Sequence, residues 1–181
     1  RIKDVMMFLQ SNNVSQGYAL KIFNTYGEKA VEVLKQDPYV LSSDIIGIGF
    51  KIADRIALSI GHEKDSRMRL RAGLMYVLKE AVGDGHVFLP VETMLDDSSR
   101  ILEAPRENVE VVLKDSVAME GEIIEDEGRI YLASYHFSEN SVAPKLAHII
   151  KWQKGRKGRV FTDGEKRGVE WMARGPRIIG H

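Results

Sequence analysis

The sequence of 181 residues contains no cysteine, and this absence removes several classes of protein at once. Disulfide frameworks, cysteine-ligated zinc sites, iron–sulfur clusters and thiol catalysis all need that side chain. No apolar run approaches the ~20 residues of a membrane-spanning helix, and the polar first residues are unlike a signal peptide. We therefore expect a soluble cytoplasmic protein with no membrane partner. Because the chain opens without Met, we expect it to be a piece of a longer protein.

The chain has no formal net charge, but its charges are unevenly distributed along the sequence. The 26 basic and 26 acidic side chains balance, so the overall charge indicates neither a nucleic-acid nor a membrane partner. Residues 92–127 nevertheless hold twelve acidic side chains against three basic ones, whereas residues 151–181 hold nine basic against three acidic. This division predicts two surfaces suited to different partners. For residues 151–181, a solvated end and a nonspecific DNA-binding arm both stay open.

Hydrophobic periodicity predicts a mostly α-helical fold. Apolar residues recur at helical spacing through residues 2–61, 70–83, 91–119 and 142–150. Two short apolar runs on either side of Asp126-Glu127-Gly128 predict one small β-hairpin. The prediction also places Met68, Leu74 and Met75 in the core.

The most informative segment is Gly47-Ile48-Gly49, which comes directly before a predicted helix. Glycine allows backbone angles that a Cβ would forbid, and the first N–H groups of a helix have no internal acceptor. The segment therefore predicts an anion site, strengthened by the helix dipole. We expect Ile48 to point inward and Lys51 and Arg55, one turn apart, to reach successive phosphates. A tight corner with a purely structural role is the alternative.

A weaker version of the same pattern lies upstream, in residues 13–23 (NVSQGYALKIF). It lacks Gly-x-Gly, which leaves Ser15 and Lys21 as weaker candidates for a phosphate contact. Tandem motifs are expected because one loop neutralises too few phosphates for useful affinity. Direct DNA contact by this first copy and a packing role both stay open.

Residues 45–56 (IIGIGFKIADRI) resemble a helix–hairpin–helix DNA-binding motif. A longer collinear string, over about residues 1–150, resembles the N-terminal region of RecD-like DNA helicases, the exodeoxyribonuclease V alpha subunit family. The segments that carry this resemblance are residues 2–11, 14–15, 21–23, 26–27, 37–39, 47–57, 71–74, 85–87 and 89–90. The resemblance implies that Gly47, Ile48, Gly49 and Lys51 contact the backbone of single-stranded or junction DNA. It also implies a motor domain as partner, with ATP and Mg²⁺ as the cofactors of a parent that translocates 5′ to 3′.

The motor itself is not in this sequence. No Gly-x-x-x-x-Gly-Lys-Ser/Thr occurs, so no phosphate loop of that type is present. We expect this chain to have no catalytic centre, no cofactor of its own and no metal site, since its five histidines are scattered. Residues 161–171 are similar to the segment that precedes the motor's phosphate loop, with Glu165 in place of an adenine-recognising glutamine. We assign no function to residues 151–181.

The acidic half is predicted to be a winged-helix-like module over residues 67–150. Its second helix, near residues 105–119, would repel phosphates, so we expect it to pack against a neighbouring domain rather than enter a DNA groove. A metal-dependent nuclease centre at Asp96, Asp97 and Glu125–127 is disfavoured, because adjacent aspartates on a helix point apart and residues 125–127 are typical of a turn. We expect Tyr135-His136-Phe137 to pack beneath the wing rather than stack on bases.

Three parts are therefore predicted. Residues 1–61 form a tandem helix–hairpin–helix, residues 67–150 the winged-helix-like module, and residues 151–181 a basic linker toward the missing motor. The predicted function is sequence-independent binding of the DNA backbone in the service of a RecD-like helicase. The competing hypothesis is a protein-interaction module that docks on a motor domain or partner subunit without touching DNA.

Overall fold

The computed structural model describes residues 2–119 and 121–138, and in this part of the chain the fold is mostly α-helical, as predicted. The helices are α1 (Ile2–Ser11), α2 (Gln16–Tyr26), α3 (Ala30–Gln36), α4 (Leu41–Asp44), α5 (Phe50–Ser59), α6 (Arg67–Gly83), α7 (Val91–Leu102) and α8 (Arg106–Ala118). None of these helices is long and apolar enough to cross a bilayer. The predicted helix at residues 142–150 and the basic segment 151–181 lie outside the described residues.

Local signals set several helix ends. The carboxylate of Asp37 accepts a hydrogen bond from the N–H of Tyr39 at 2.9 Å, which ends α3 and starts a short 3-10 turn at Pro38–Val40. The hydroxyl of Ser66 accepts from the first turn of α6, and Pro105 directly precedes α8. Asp37 and Ser66 thus occupy N-cap positions, at which acidic and hydroxyl side chains are favoured, whereas Pro105 stands one residue before the first-turn position that proline favours.

The small sheet has three antiparallel strands in the order β1-β3-β2. They are β1 (Phe88–Pro90), β2 (Ile123–Asp126) and β3 (Arg129–Leu132). Phe88 pairs with Tyr131, and Ile123 pairs with Leu132. The turn between β2 and β3 places Glu127 and Gly128 at φ 48° and 75°, so the predicted β-hairpin is confirmed. The winged-helix assignment of this α–β–α–α–β–β segment stays a prediction.

One continuous hydrophobic core extends from α1 to the sheet. Its largest fully buried side chains are Leu9, Ile22, Leu34, Leu41, Ile48, Leu70, Leu74, Leu78, Met94, Leu102, Ile123 and Ile130. Arg1–Phe137 accordingly form one compact unit. The prediction for α6 was right for Leu74 but wrong for Met68, which is 37% exposed because it faces a groove described below.

A buried ion pair connects α5 to α6. The Nε and Nη2 atoms of Arg69 donate to both carboxylate oxygens of Asp54 at 2.8 and 3.0 Å, and the hydroxyl of Tyr39 donates to the same carboxylate at 2.8 Å. Nη1 of Arg69 donates to the carbonyls of Lys64 and Leu102 at 2.8 and 2.9 Å. Burial alone would lower the pKa of Arg69, but the hydrogen bonds and charge of Asp54 outweigh burial and raise it.

Close contact between α6 and α7 depends on Gly73. A Cβ at this position would lie 2.6 Å from both terminal methyl carbons of Leu102 and 2.8 Å from its Cγ. Because contacts this short do not occur between real side chains, only glycine allows the two helices to pack at this distance.

Candidate nucleic-acid interface

A tight turn at residues 45–48 connects α4 to α5. The N–H of Ile48 donates to the carbonyl of Ile45 at 3.0 Å, and Gly47 has φ +87°, the backbone angle that a type II turn needs at its third position. Gly49 then takes an extended conformation (φ −87°, ψ 176°) and forms the N-cap of α5. The glycines therefore form a corner at the start of a helix, as the sequence predicts.

One side of the turn is anchored in the core, and the other side is exposed to solvent. The side chain of Ile48 is 2% exposed and belongs to the core, whereas Gly47 and Gly49 are exposed. Among the described residues, none accepts a hydrogen bond from the N–H groups of Gly47, Gly49 or Phe50, and no side chain caps α5. Unpaired amide hydrogens therefore face solvent at the positive end of this helix.

Two cationic side chains follow the turn on α5. Lys51 and Arg55 are exposed and lie one helical turn apart. The Nζ of Lys51 lies 5.8 Å from the ring centroid of Tyr76, which is a cation–π distance. No carboxylate of the described residues pairs with either cation, so both charges are available to an anion.

A third cation reaches the same turn from α2. The Nζ of Lys21 donates to the carbonyl of Ile46 at 3.1 Å and would lie 2.9 Å from a Cβ at Gly47. The sequence associates Lys21 with the upstream copy of the motif. The structure places its ammonium group at the downstream turn instead, because α2 packs beside that turn.

The upstream copy also has a left-handed residue at its corner although it lacks the glycines, but different hydrogen bonds close it. The N–H of Val14 donates to Leu9, five residues back, whereas the N–H of Ile48 donates to Ile45, three residues back. Asn13 has φ 58° where Gly47 has φ 87°. Val14 is 5% exposed and takes the place of Ile48. Asparagine is among the few non-glycine residues that adopt a left-handed conformation at modest cost, so a positive φ persists here without glycine.

When Asn13 is aligned with Gly47, Ser15 aligns with Gly49, the N-cap of α5, and Lys21 aligns with Arg55. Ser15 is exposed and directly precedes α2, but its hydroxyl forms no capping hydrogen bond. The two residues proposed as weaker phosphate contacts are therefore not equivalent. Ser15 lies at the upstream turn, whereas the ammonium group of Lys21 lies at the downstream one.

An acidic side chain also lies near this surface. Asp44 ends α4, two residues before Ile46, and accepts a hydrogen bond from the hydroxyl of Tyr26 at 2.7 Å. Burial raises the pKa of Tyr26, and the hydrogen bond to Asp44 and its charge raise it further. The tyrosine therefore stays protonated and ties this carboxylate to α2.

Helix α8 carries no comparable free cations. Arg106 is ion-paired with Glu92 and Asp96, and Lys114 is paired with Glu110 at 2.6 Å. These are the basic residues within α8, and both already have anionic partners. These ion pairs agree with the expectation that α8 does not bind phosphates. That expectation stays a prediction.

The acidic residues considered for a nuclease centre are dispersed. Asp96 pairs with Arg106 and Asp97 with Arg100, so the two carboxylates engage different arginines. Within residues 2–119 and 121–138, no group of three or more His, Asp or Glu side chains is placed to hold a metal ion. The described residues therefore offer no geometric support for metal-dependent hydrolysis.

The aromatic run after β3 is only partly packed. The ring of His136 lies 5.1 Å from that of Tyr131. Tyr135 and Phe137 are 40% and 65% exposed. The prediction that the run packs beneath the wing is therefore right for His136 and wrong for Phe137, which lies at the end of the compact unit.

A groove of about 940 Å³ lies beside the start of α5. Its lining includes Gly49, Phe50, Met68, Met75 and Tyr76. The ring of Phe50 stacks on that of Tyr76 with centroids 5.0 Å apart. The sequence prediction assigned Met68 and Met75 to the core rather than to a groove. They line the groove together with residues of α5 and α8, which are distant along the chain.

Residues 1–88 match the family model described as the ATP-dependent RecD2 DNA helicase HHH domain. The matched segment includes both hairpins, α5 and all of α6. The match confirms the resemblance of this part of the chain to the N-terminal helix–hairpin–helix region of a RecD2-like helicase.

Proposed function

We propose that this chain, whose residues 1–88 match the HHH domain of RecD2 helicases, binds the sugar–phosphate backbone of DNA for the helicase motor of its parent. The observation that carries the proposal is the exposed turn at Gly47 and Gly49, where unpaired amide hydrogens open onto solvent at the start of α5. The ammonium group of Lys21 lies at the same turn. Amides and cations together form a site for one phosphate group.

The arrangement favours the DNA backbone over the bases as the main source of affinity. A phosphate oxygen at the turn would accept from the exposed amides and meet the charge of Lys51, while Lys21 adds positive charge from the opposite, carbonyl side of the Ile46–Gly47 peptide. Arg55, one turn further along α5, would reach the next phosphate. Contacts of this kind carry no sequence information, and each one adds about 0.7 to the steepness of the fall of log K with log salt for single strands.

The parent's activity belongs to the same proposal. A motor that translocates 5′ to 3′ would supply ATP hydrolysis with Mg²⁺, while this region would hold the DNA near it. Because the basic residues of α8 are already paired with carboxylates, we assign DNA contact to the hairpin and protein contact to α8.

A titration of the whole chain with labelled DNA tests the proposal. Single-stranded, duplex and forked DNA would be compared by fluorescence anisotropy at ~50 and ~200 mM salt, a range over which phosphate contacts lose much of their affinity. The double variant Lys51→Ala, Arg55→Ala should bind more weakly and reduce the salt slope by about 1.4. Lys29→Ala with Arg100→Ala removes the same charge from other exposed positions and serves as the control.

The second candidate is a protein-interaction module without DNA contact. Exposed apolar side chains in the middle of α8 and just after its end favour it, since Val111 is 51% and Met119 is 69% exposed. Failure to bind any DNA at either salt concentration would support this candidate. Binding to the isolated motor domain that is lost in Val111→Asp would support it directly.

A further inference from the structure

The tip of the downstream turn carries an isoleucine that is almost entirely in solvent. Ile46 is 96% exposed, whereas its neighbours in the turn, Ile45 and Ile48, are 7% and 2% exposed. Single exposed apolar residues are common on protein surfaces. This one lies at the tip of a turn that also presents free amides and cations, and its position therefore suggests contact with an apolar part of the same ligand.

The turn fixes the backbone that carries this side chain. The carbonyl of Ile46 accepts from Lys21 at 3.1 Å, and the N–H of Ile48 closes the turn onto Ile45 at 3.0 Å. The two flanking isoleucines are buried in the core. Because the backbone on both sides is anchored, little freedom of the turn would be lost when Ile46 meets a ligand.

We propose that Ile46 packs against a nucleobase of an unpaired DNA strand whose phosphate is bound at Gly47 and Gly49. This inference rests on the proposed function. In a nucleic acid strand, the apolar faces of the bases are next to the phosphates along the chain, so a ligand that fills the anion site brings a base within reach of the turn. The contact tolerates any base, since every base has an apolar face.

An unpaired strand suits this contact better than a duplex. In duplex DNA the base faces are stacked, and an apolar wedge must first separate two base pairs. The cost of that separation is comparable to or larger than the gain from burying one isoleucine. A single strand exposes base faces without that cost, so Ile46 should add affinity for single strands selectively.

Three DNA probes of equal length separate base contact from backbone contact. They are an oligothymidine strand, a strand of abasic nucleotides with the same phosphates, and a duplex. Ile46→Ala should weaken binding of the whole chain to oligothymidine by about five- to tenfold, with little change for the abasic strand and the duplex. Because no phosphate contact is lost, the salt slope should stay the same.

A gain of affinity provides the complementary test. Ile46→Tyr should tighten binding to oligothymidine but not to the abasic strand, because aromatic rings stack on bases. Ile2→Ala, at an isoleucine 61% exposed on α1, is the matched control. Ile46 contributes nothing to the core, so circular dichroism and thermal melting of its variants should match those of the wild type.

Each other result overturns the inference in a recognisable way. If Ile46→Ala weakened binding to the abasic strand equally, Ile46 would only shape the turn. If it weakened binding to the duplex equally or more, Ile46 would insert between base pairs of a duplex. No loss on any probe, with Lys51→Ala still weakening binding, would remove the base contact and leave the proposed function intact. A wild-type chain that binds none of the probes would remove both.

Discussion

The ammonium nitrogen of Lys21 lies 3.1 Å from the carbonyl oxygen of Ile46, although the two residues are 25 positions apart in the chain. This hydrogen bond joins helix α2 of the upstream hairpin to the turn of the downstream one. It brings a positive charge to the carbonyl side of the Ile46–Gly47 peptide, opposite the side to which the N–H of Gly47 points. The two hairpin motifs thus contribute to one surface, although only the second contains Gly-x-Gly.

Lys21→Met tests this relationship. Methionine keeps the apolar part of the side chain but removes the charge, so DNA affinity should fall and the salt slope should drop by about 0.7. The free energy of unfolding should change by less than about 1 kcal/mol, since the hydrogen bond is exposed to water. Lys21→Arg should retain most of the affinity. Equal salt slopes for Lys21→Met and the wild type would show that Lys21 contacts no phosphate.

Substitution of the two turn glycines should separate folding from binding. Gly47→Ala forces a Cβ into a left-handed conformation 2.9 Å from Lys21, so it should lower the free energy of unfolding by about 1–2 kcal/mol. Gly49→Ser meets no protein atom within 4 Å and suits a helix N-cap. Its stability should therefore stay within about 1 kcal/mol of the wild type. Its DNA affinity should fall, because a side chain then occupies the open space beside the N–H groups of Gly49 and Phe50. Urea unfolding and anisotropy measure the two effects, and unchanged DNA binding by Gly49→Ser would contradict the site.

Gly73→Ala should destabilise the contact between α6 and α7. The added Cβ would lie 2.6 Å from Leu102, and overpacking of this kind costs about 1–3 kcal/mol in the free energy of unfolding. Gly83→Ala, at the end of the same helix, meets no atom within 4 Å and should be neutral or slightly stabilising. Equal urea midpoints for the two variants would show that α6 and α7 do not pack as described.

Stability should fall at alkaline pH through the buried tyrosine beside Asp54. Burial raises the pKa of Tyr39, and the hydrogen bond to Asp54 and its charge raise it further. Since the raised pKa favours the protonated form in the folded state, the contribution of Tyr39 is complete below about pH 10, the pKa of the unfolded chain. That contribution is lost as pH rises from there toward the folded-state pKa.

Urea unfolding at a series of pH values checks this expectation. Tyr39→Phe should be less stable than the wild type by about 1 kcal/mol at neutral pH, because Asp54 loses a hydrogen-bond donor. Above pH ~10 the difference between the two proteins should shrink. A constant difference across the whole range would mean that Tyr39 does not titrate differently in the folded protein.

Local features of the fold could be predicted from the sequence. Gly47 and Gly49 predicted the corner before α5, and the apolar residue between them predicted the inward side chain of Ile48. Residues Glu127 and Gly128 similarly predicted the turn of the β-hairpin. In each case the information lies within a few residues, because backbone angles and helix caps depend on immediate neighbours.

Contacts between distant segments could not be predicted in this way. Nothing in the spacing of Lys21 indicates that its side chain reaches Ile46, and nothing near Arg69 names Asp54 as its partner. Ile45 and Ile46 look alike as a pair of apolar residues. Only the turn type determines that the first enters the core and the second points into solvent.

The buried pair between Arg69 and Asp54 also has a mechanical consequence. Asp54 lies on α5, the helix that begins at the turn proposed to bind DNA, while Arg69 also bonds to the last carbonyl of α7, at Leu102. If α5 tilted alone, the guanidinium of Arg69 would lose its bonds to Asp54 while staying shielded from water. Leaving a charge unpaired in such a place is costly. The pair thus couples the start of α5 to α6 and to the end of α7, so a load applied at the turn should move these three elements together.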